Sequence, residues 1–406
     1  MALAAAGCEV DAVCPARHPL RKTGSFRRAY VYQGLAPLVS FKRAIASTRP
    51  DLIVSGDDLA TRHLHSLHAR EFRDGKTDSS MSALIERSLG APESFPLVDA
   101  RAALIDLAQK EGLRVPPTQV IKNTGELKKW VNQIGLPAVL KANGTSGGNG
   151  VRVARTLAEA ELAFEQLQAP PLLARAVKRA LVDHDKTLVW PSLLRQKRVV
   201  NAQAFVAGRE ATSTVVCWKG AILASLHFEV VNKTSSAGHA TVVRLIEHPE
   251  MSRAAEVMVR RLQLSGLYGF DFMLETGTEN AYLIEINPRS TQVGHLSLGP
   301  GRDLPAALFA VLSEKAEQPA PKITEKDTIA LFPQEWIRDP QSEFLKSAFH
   351  DVPWTEPEVI RDCVSSRRKQ SSWYSRSPRP VVSPVASPRV AAPAASRTAR
   401  AESGNR

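Results

Sequence analysis

Apolar residues recur along the chain with two spacings, one typical of helices and one typical of strands. In residues 1–98, helical spacing alternates with short apolar runs, which is the pattern of a parallel α/β unit. A helix is expected to begin at the Asp57-Asp58 pair, because aspartate is favourable at helix N-termini. The predicted elements are a helix ending at Gly7, a strand at 9–14, a helix at 38–47, a strand at 51–55 and a helix at 57–68.

This first unit begins with a helix, although such a unit ordinarily begins with a strand. We therefore expect that its first strand and turn are missing from the chain, and an incorrect start site is one hypothesis. An in-frame upstream segment encoding an apolar strand would support it.

A second unit is predicted from Asp99 onward, with a helix that Gly112 stops. A glycine-rich turn joins two strand-like runs further on, which predicts a hairpin with a long tip. The predicted helices are 101–111, 124–134 and 249–264; the predicted hairpin strands are 138–142 and 150–154; three successive antiparallel strands are predicted at 199–206, 212–218 and 221–231. Residues 313–364 contain several prolines and five aromatic residues, among them Trp336, Phe344, Phe349 and Trp354, so we expect them to pack on the main body.

Composition indicates a globular protein, with 43% hydrophobic and 23% charged residues in 406 positions. The net charge of +12 is concentrated at the C-terminus, since residues 365–406 hold nine Lys and Arg residues against one acid. This segment is rich in Ser, Arg, Pro and Ala and has few large apolar residues, which predicts disorder. Its aromatic residues are limited to Trp373 and Tyr374, so nucleic-acid binding is not expected.

The four cysteines, scattered without a CxxC pair, argue against both a disulfide framework and a zinc site. No apolar run is long enough to cross a membrane, and the first residues lack the features of a signal peptide. We therefore expect a cytoplasmic protein with no membrane partner. His63, His65 and His68 do not share one helix face, so we interpret them as surface or domain-contact histidines and not as metal ligands.

The strongest chemical signal is a predicted hairpin that carries acidic residues. A turn centred near Thr278 sets Asp271 opposite Glu285, with both carboxylates on one face and Asn287 two residues along. Leu283 and Met273 are expected on the same side. Like charges directly opposed across strands are unfavourable unless a cation lies between them. Two carboxylates and an amide are oxygen ligands of the kind that Mg²⁺ takes.

A second signal is the segment from Lys141 to Gly150, in which glycines alternate with small polar residues. The spacing matches neither common phosphate-loop motif, and the loop joins two strands instead of opening a helix. Its backbone amides are suited to phosphate oxygens, with the Lys141 ammonium as a point charge at the base. By itself a segment of this composition is more often an ordinary hairpin turn.

The third signal lies in residues 199–210, where a strand carrying Gln203 and Phe205 ends in a turn before Glu210. Backbone groups and Gln203 are placed to meet an adenine edge, while Glu210 is suited to accept hydrogen bonds from ribose hydroxyls. If this segment stood alone, an ordinary strand with one polar position would be the better interpretation.

These three segments, in this order, resemble the ATP-grasp superfamily, and their spacing is most similar to the ATP-binding halves of the carbamoyl phosphate synthetase large chain. The similarity spans residues 99–312, and the ending Glu285-Ile-Asn287-Pro288-Arg289 carries most of it. The resemblance implies an α/β fold with α+β elements. An ATP-grasp domain (99–312) is expected after a small parallel α/β domain (1–98), followed by the packed extension (313–364) and the disordered tail (365–406).

The resemblance also implies roles for individual residues. Asp271, Glu285 and Asn287 would hold Mg²⁺, with Mn²⁺ as an alternative, and Arg289 would contact the transferring phosphoryl group or acyl phosphate. Arg101 stands where many relatives have a phosphate-binding lysine, and Gln203 stands where glutamate is common; both retain the needed chemistry. The expected phosphate cover is Lys141 with Gly144, Thr145, Ser146, Gly147, Gly148 and Gly150; Gln203 and Phe205 would meet adenine, and Glu210 the ribose.

The activity implied is ligation of a small carboxylate to an amine or thiol through an acyl phosphate, with ATP converted to ADP. A carbamoyl phosphate-forming or biotin carboxylase-like step on bicarbonate stays open, as does a non-catalytic nucleotide-binding protein with a basic recruiting tail. The carboxylate, the acceptor and the oligomeric state are not determined by the sequence, and a homo-oligomer stays open.

Overall fold

The computed structural model describes residues 1–75, 79–144, 150–170, 192–195, 197–235, 238–318 and 320–374, with side chains up to residue 365. The chain divides into two units, Met1–Val364 and Ser365–Arg406. The predicted disordered tail lies outside the described residues from 375 onward. Within the described ranges, no helix combines the length and the apolar character that a membrane span requires.

The N-terminal residues form a two-stranded parallel sheet packed with helices, which confirms the predicted parallel α/β class. In the sheet, Asp11 pairs with Arg28 and Cys14 with Val31. The Asp57 side chain caps α3 by accepting a 2.7 Å hydrogen bond from the Ala60 amide, as its position in the sequence predicts. The elements are α1 (Ala2–Ala5), β1 (Asp11–Cys14), β2 (Arg28–Val31), α2 (Pro37–Thr48), α3 (Asp58–Arg73), α4 (Ser80–Leu89) and α5 (Phe95–Asp99).

The prediction of a strand at residues 51–55 is wrong, since this segment pairs with no strand in the described part of the chain. Its backbone bonds to other groups instead. The Ile53 amide donates to Ser88 Oγ at 2.9 Å, and the Ser55 carbonyl accepts from the Ser290 amide at 3.0 Å. The segment is apolar because Leu52, Ile53 and Val54 pack against two different cores.

A four-stranded sheet follows, in the order β3-β6-β4-β5 among the described strands. The predicted hairpin is confirmed, because β4 and β5 pair antiparallel with Lys141 opposite Val151. Helices α7 and α8 pack on this sheet around Trp130 and Phe164. The elements are α6 (Arg101–Lys110), β3 (Thr118–Ile121), α7 (Thr124–Ile134), β4 (Ala138–Ala142), β5 (Val151–Ala154), α8 (Leu157–Gln168) and β6 (Val200–Ala204).

A seven-stranded sheet, as far as the structure describes it, has the order β11-β10-β7-β8-β9-β12-β13. Its large core includes Tyr268, Phe270 and Phe272, against which one helix lays its apolar face. The elements are β7 (Gly208–Trp218), β8 (Ala221–Lys233), β9 (Ala240–Leu245), α9 (Pro249–Leu262), β10 (Gly266–Glu275), β11 (Ala281–Asn287), α10 (Leu304–Ser313), β12 (Thr328–Leu331), α11 (Gln334–Arg338), α12 (Phe344–Ser347), β13 (Phe349–Asp351) and α13 (Pro357–Tyr374).

The three strands predicted as successive antiparallel neighbours do not share one sheet. β7 and β8 pair antiparallel as predicted. β6 instead lies between β3 and β4, where Val200 and Ala202 are buried in the core of the smaller sheet. The chain crosses from one sheet to the other between Ala204 and Gly208, so three similar apolar runs belong to two layers.

Candidate functional site

The β10–β11 hairpin sets two carboxylates opposite each other, as the sequence predicts. Asp271 and Glu285 are register partners, and Gly269 pairs with Asn287. Asp271 Oδ1 accepts from Thr212 Oγ1 at 3.0 Å, and its Oδ2 accepts from Asn287 Nδ2 at 2.8 Å. The hairpin therefore brings the three predicted metal ligands together at one place.

A β-bulge corrects the prediction that Leu283 shares the face of the carboxylates. The register shifts between Asp271 and Phe272, so that Phe272 pairs with Leu283 and Ile284 is the extra residue. Phe272 points to the opposite face from Asp271, because side chains alternate along β10. Leu283 pairs with Phe272 and therefore lies on the opposite face from Glu285, although the two residues are only two positions apart. There it is fully buried in the core with Phe272.

Gly269 is required by the close approach of the loop that follows β11. A Cβ at this position would lie 2.5 Å from Thr291 Cγ2 and 3.4 Å from Asn287 Cβ. Real Cβ atoms do not approach other atoms this closely, so the absence of a side chain lets the loop fold back over the hairpin beside Asn287.

The two carboxylates have opposite pKa shifts. Burial is the largest cause that raises the pKa of Asp271 to about 6, and the charge of Glu285 is the second. The hydrogen bonds that Asp271 accepts act to lower this pKa and only partly offset the rise. Burial also acts to raise the pKa of Glu285. The neighbouring cations, Arg101 and Lys141 foremost, outweigh burial and leave the pKa of Glu285 below its usual value. Both groups are thus ionised at neutral pH, and two negative charges face each other.

Two cations lie beside this pair. Arg101 Nη2 donates to Glu285 Oε1, and its Nη1 donates to the Ala142 carbonyl at 3.4 Å. Lys141 on β4 is only 5% exposed. Burial lowers the pKa of Lys141 to about 8, although Glu285 acts in the opposite direction. At neutral pH this ammonium is therefore still largely charged, close to the carboxylates.

Arg289 follows the hairpin, and helix α3 holds it in place. Its Nε donates to Asp58 Oδ1 at 2.9 Å, and its Nη2 donates to Asn287 Oδ1 at 3.3 Å. One turn along the same helix α3, Thr61 Oγ1 donates to the Pro288 carbonyl at 2.7 Å. The helix thus fixes both the backbone and the side chain of the segment that ends the predicted motif.

A cleft opens between these elements, and the sequence analysis did not predict several of the residues that line it. These residues are Arg62, Asp99 and Asp58. Asp58 also forms the ion pair with Arg289. None of the three stands in a motif, although the Asp57-Asp58 pair indicates a helix N-terminus in the sequence. The lining residues are Asp58, Arg62, Val98, Asp99, Arg101, Leu104, Asn143, Gly144, Glu285, Ile286, Asn287 and Pro288.

Only part of the predicted phosphate cover falls in the described residues. Gly144 has a φ of +72° and lies against the Arg62 guanidinium, to which an added Cβ would come within 2.6 Å. Gly150 is buried, and its carbonyl accepts from the Ala142 amide at 2.9 Å. Thr145, Ser146, Gly147 and Gly148 lie outside the described residues.

The residues predicted to meet the nucleoside do not line this cleft. Gln203 is 2% exposed and donates from Nε2 to Thr118 Oγ1 at 3.0 Å, while Phe205 just beyond β6 is 39% exposed. Glu210 accepts a 2.6 Å bond from Lys233. Its charge is also near enough to act on Lys141. Their roles stay predictions.

Within the described ranges, no group of three or more His, Cys, Asp or Glu side chains is placed to hold a metal ion. The predicted site differs in composition, since it has two carboxylates and one amide. Its donor set still fits a hard divalent cation, because each of the three side chains carries an oxygen and two negative charges face one another.

Comparison with known proteins identifies the domain that carries this site. Residues 103–293 match the family model for the ATP-grasp domain. This stretch includes β10, β11 and the segment through Arg289. These residues are similar to ATP-grasp domains. The resemblance inferred from the sequence is therefore confirmed.

Two curated relatives share parts of the chain. Phosphoribosylamine–glycine ligase of Ralstonia nicotianae is 31% identical over 109 residues, which cover 27% of this chain and 21% of the relative. The carbamoyl phosphate synthase large chain of Xanthomonas axonopodis pv. citri is 24% identical over 208 residues, 50% of this chain and 18% of the relative. The chain thus spans about a fifth of the length of these relatives.

Solved structures confirm the ATP-grasp fold. The biotin carboxylase domain of Hydrogenobacter thermophilus 2-oxoglutarate carboxylase, solved as a dimer with MgADP, ADP and bicarbonate, superposes with a TM-score of 0.54. The identity is 14%, and the match covers 78% of this chain and 68% of that chain.

Proposed function

We propose that this protein is an ATP- and Mg²⁺-dependent ligase that joins a carboxylate to an amine or thiol through an acyl phosphate, releasing ADP and phosphate. The observation that carries the proposal is the register pairing of Asp271 with Glu285 at the edge of a cleft, with three cations beside it. The ATP-grasp domain match and the ligase among the relatives support it.

We propose that Asp271, Glu285 and Asn287 hold the cation, Mg²⁺ or alternatively Mn²⁺. When bound, the ion supplies positive charge beside the phosphates and relieves the repulsion between the facing carboxylates. Arg101 already neutralises part of the charge on Glu285.

Three side chains are proposed to bind the triphosphate. Lys141 and Arg101 bring positive charge to the cleft from β4 and α6, and Arg289 brings it from the other side. Positive groups held in place before the reaction stabilise the charge that develops on the transferring phosphoryl group without further reorganisation. The loop from Gly144 to Gly150 is proposed to cover the phosphates and exclude water.

The nucleoside is proposed to bind beside β6 and β7. Gln203 already donates its amide hydrogen to Thr118, so its amide oxygen is the group suited to accept from the adenine amine. Phe205 offers an apolar surface to the ring, and Glu210 lies within electrostatic range of Lys141, as a ribose contact near the phosphates requires.

The test is Mg²⁺-dependent ADP release by the full chain with a panel of carboxylic acids, with hydroxylamine present to trap an acyl phosphate as its hydroxamate. Glu285→Gln is expected to abolish release. Glu256→Gln, which removes the same charge at an exposed position of α9, is the matched control and is expected to behave as wild type. Release that survives Glu285→Gln in folded protein would contradict the assignment.

Bicarbonate is tested separately, in buffers freed of carbon dioxide. The curated relatives include carbamoyl phosphate synthase large chains, and the 2-oxoglutarate carboxylase domain was solved with bicarbonate. If ADP release requires added bicarbonate and no other acid, the protein is a bicarbonate-activating enzyme and not a ligase for another carboxylate. The cytoplasmic location and a homo-oligomeric state stay predictions.

A further inference from the structure

Three carboxylates line the cleft, and two of them are already neutralised by arginines. Asp58 accepts from Arg289, and Glu285 accepts from Arg101. Asp99 differs, because its side chain has no arginine or lysine partner within the described part of the chain. It is 34% exposed, so this carboxylate is both accessible and available to a cationic group that enters the cleft.

A buried histidine fixes the orientation of Asp99. His65 Nδ1 lies 2.9 Å from Asp99 Oδ2, and the histidine is only 8% exposed. Since a carboxylate only accepts, this hydrogen bond requires a proton on His65 Nδ1. The ring is stacked on Phe95 with centroids 4.2 Å apart and planes at 14°. Oδ2 is therefore engaged, and Oδ1 is the oxygen that remains for a ligand.

The same helix links Asp99 to the phosphoryl-transfer segment. His65 lies one turn after Thr61, which donates to the Pro288 carbonyl, and Asp58 at the start of that helix binds Arg289. Helix α3 thus holds both Arg289 and, through His65, Asp99. A group bound to Asp99 is placed in the same cleft as Glu285 and Asn287.

We propose that Asp99 is a catalytic residue that binds the ammonium group of an amine acceptor and removes its proton, and that His65 is its positioning residue. The inference rests on the proposed function and narrows it, because it selects an amine over a thiol. An accessible carboxylate attracts an ammonium ion, whereas it repels the thiolate that a thiol acceptor must form.

The proton balance is as follows. The ammonium gives one proton to Asp99 Oδ1, which frees the nitrogen lone pair to attack the acyl carbon. The bond between that carbon and the phosphate oxygen then breaks, phosphate leaves, and the nitrogen gives its second excess proton to the departing phosphate. The products are an amide and hydrogen phosphate, and Asp99 returns its proton to water.

The experiment compares two acceptors that differ in charge. Hydroxylamine is largely uncharged at neutral pH and does not need Asp99, whereas ammonium chloride, methylamine and glycine arrive as ammonium groups. With a carboxylic acid and hydroxylamine, Asp99→Asn is expected to release ADP as wild type does. With an amine acceptor, its rate of transfer is expected to fall about 100-fold, the usual scale for a lost general base. Asp106→Asn, an exposed acid on α6, is the matched control.

The role of His65 is tested by a conservative and a disruptive variant. His65→Asn keeps a donor near the position of Nδ1 and is expected to retain most of the amine transfer, while His65→Leu is expected to lose it and to raise the KM for the amine. Equal behaviour of the two variants would assign His65 to packing alone.

Each outcome decides the inference. Unchanged amine transfer in Asp99→Asn overturns it, and so does loss of the hydroxylamine reaction in that variant. The inference is also overturned if the wild-type enzyme forms hydroxamate but transfers the acyl group to no amine, even to ammonium at high concentration. Absence of ADP release by wild type with every acid and with bicarbonate refutes the proposed ligase itself, and the inference falls with it.

Discussion

Asp271→Asn tests the cost of keeping an ionised Asp271 buried beside Glu285, the pair from which the cation site is inferred. The substitution removes one of the two facing charges and keeps the shape of the side chain. An asparagine oxygen still accepts from Asn287 Nδ2, and its amide nitrogen donates to the Thr212 hydroxyl, which accepts as readily as it donates. The variant therefore isolates the electrostatic cost of the ionised carboxylate.

The size of that cost follows from the pKa of Asp271. Its rise from 3.8 to about 6 is a shift of about 2 units, which corresponds to about 3 kcal/mol of free energy of unfolding. Because the folded-state pKa is raised, the penalty is fully present above it and disappears as the pH falls through 6 towards 3.8. At pH 5 about half of it remains.

The assay is urea unfolding at pH 5, 6 and 7 without metal or nucleotide. Asp271→Asn is expected to be more stable than wild type at pH 7 by up to about 3 kcal/mol, and this difference should shrink by about half at pH 5. Asp106→Asn, which removes an exposed carboxylate that pairs with Lys110, is the control.

Two results would refute this reasoning. The first is a variant that is less stable than wild type at pH 7, and the second is a stability difference that does not change between pH 7 and pH 5. Addition of Mg²⁺ with ATP gives an independent check, since it should raise the unfolding midpoint of wild type and leave that of Asp271→Asn nearly unchanged.

Three further results are expected. The ATP affinity of wild type should fall as the pH rises above about 8, where Lys141 loses its proton, while Lys141→Met should bind weakly at every pH; titration of ATP at pH 7, 8 and 9 decides this. A double-mutant cycle of Asp58→Ala and Arg289→Ala in urea should give a coupling on the order of 1 kcal/mol, and additive effects would contradict the ion pair. Gly269→Ala should destabilise the fold by about 1 to 3 kcal/mol, because its Cβ would approach Thr291; unchanged unfolding would show that the loop relocates at no cost.

Much of the hairpin at the site could be predicted because it is local. The turn near Thr278 and the two-residue period of the strands fix which residues face each other, so the pairing of Asp271 with Glu285 follows from a short stretch of sequence. Even there, the bulge at Ile284 was missed. It depends on the packing of Leu283 and Phe272 into the core, which no local pattern reveals.

The sequence by itself determined many of the helices and strands, the pairing of Asp271 with Glu285 and the resemblance to ATP-grasp proteins, because turn chemistry and hydrophobic period act over a few residues. Tertiary structure alone decided that Arg101 binds Glu285, that Asp58 holds Arg289, and that Asp99 with His65 joins the same cleft. These partners are far apart in the chain. Their meeting depends on how helices and sheets pack, and a charged residue gives no sign in the sequence of which distant opposite charge it will find.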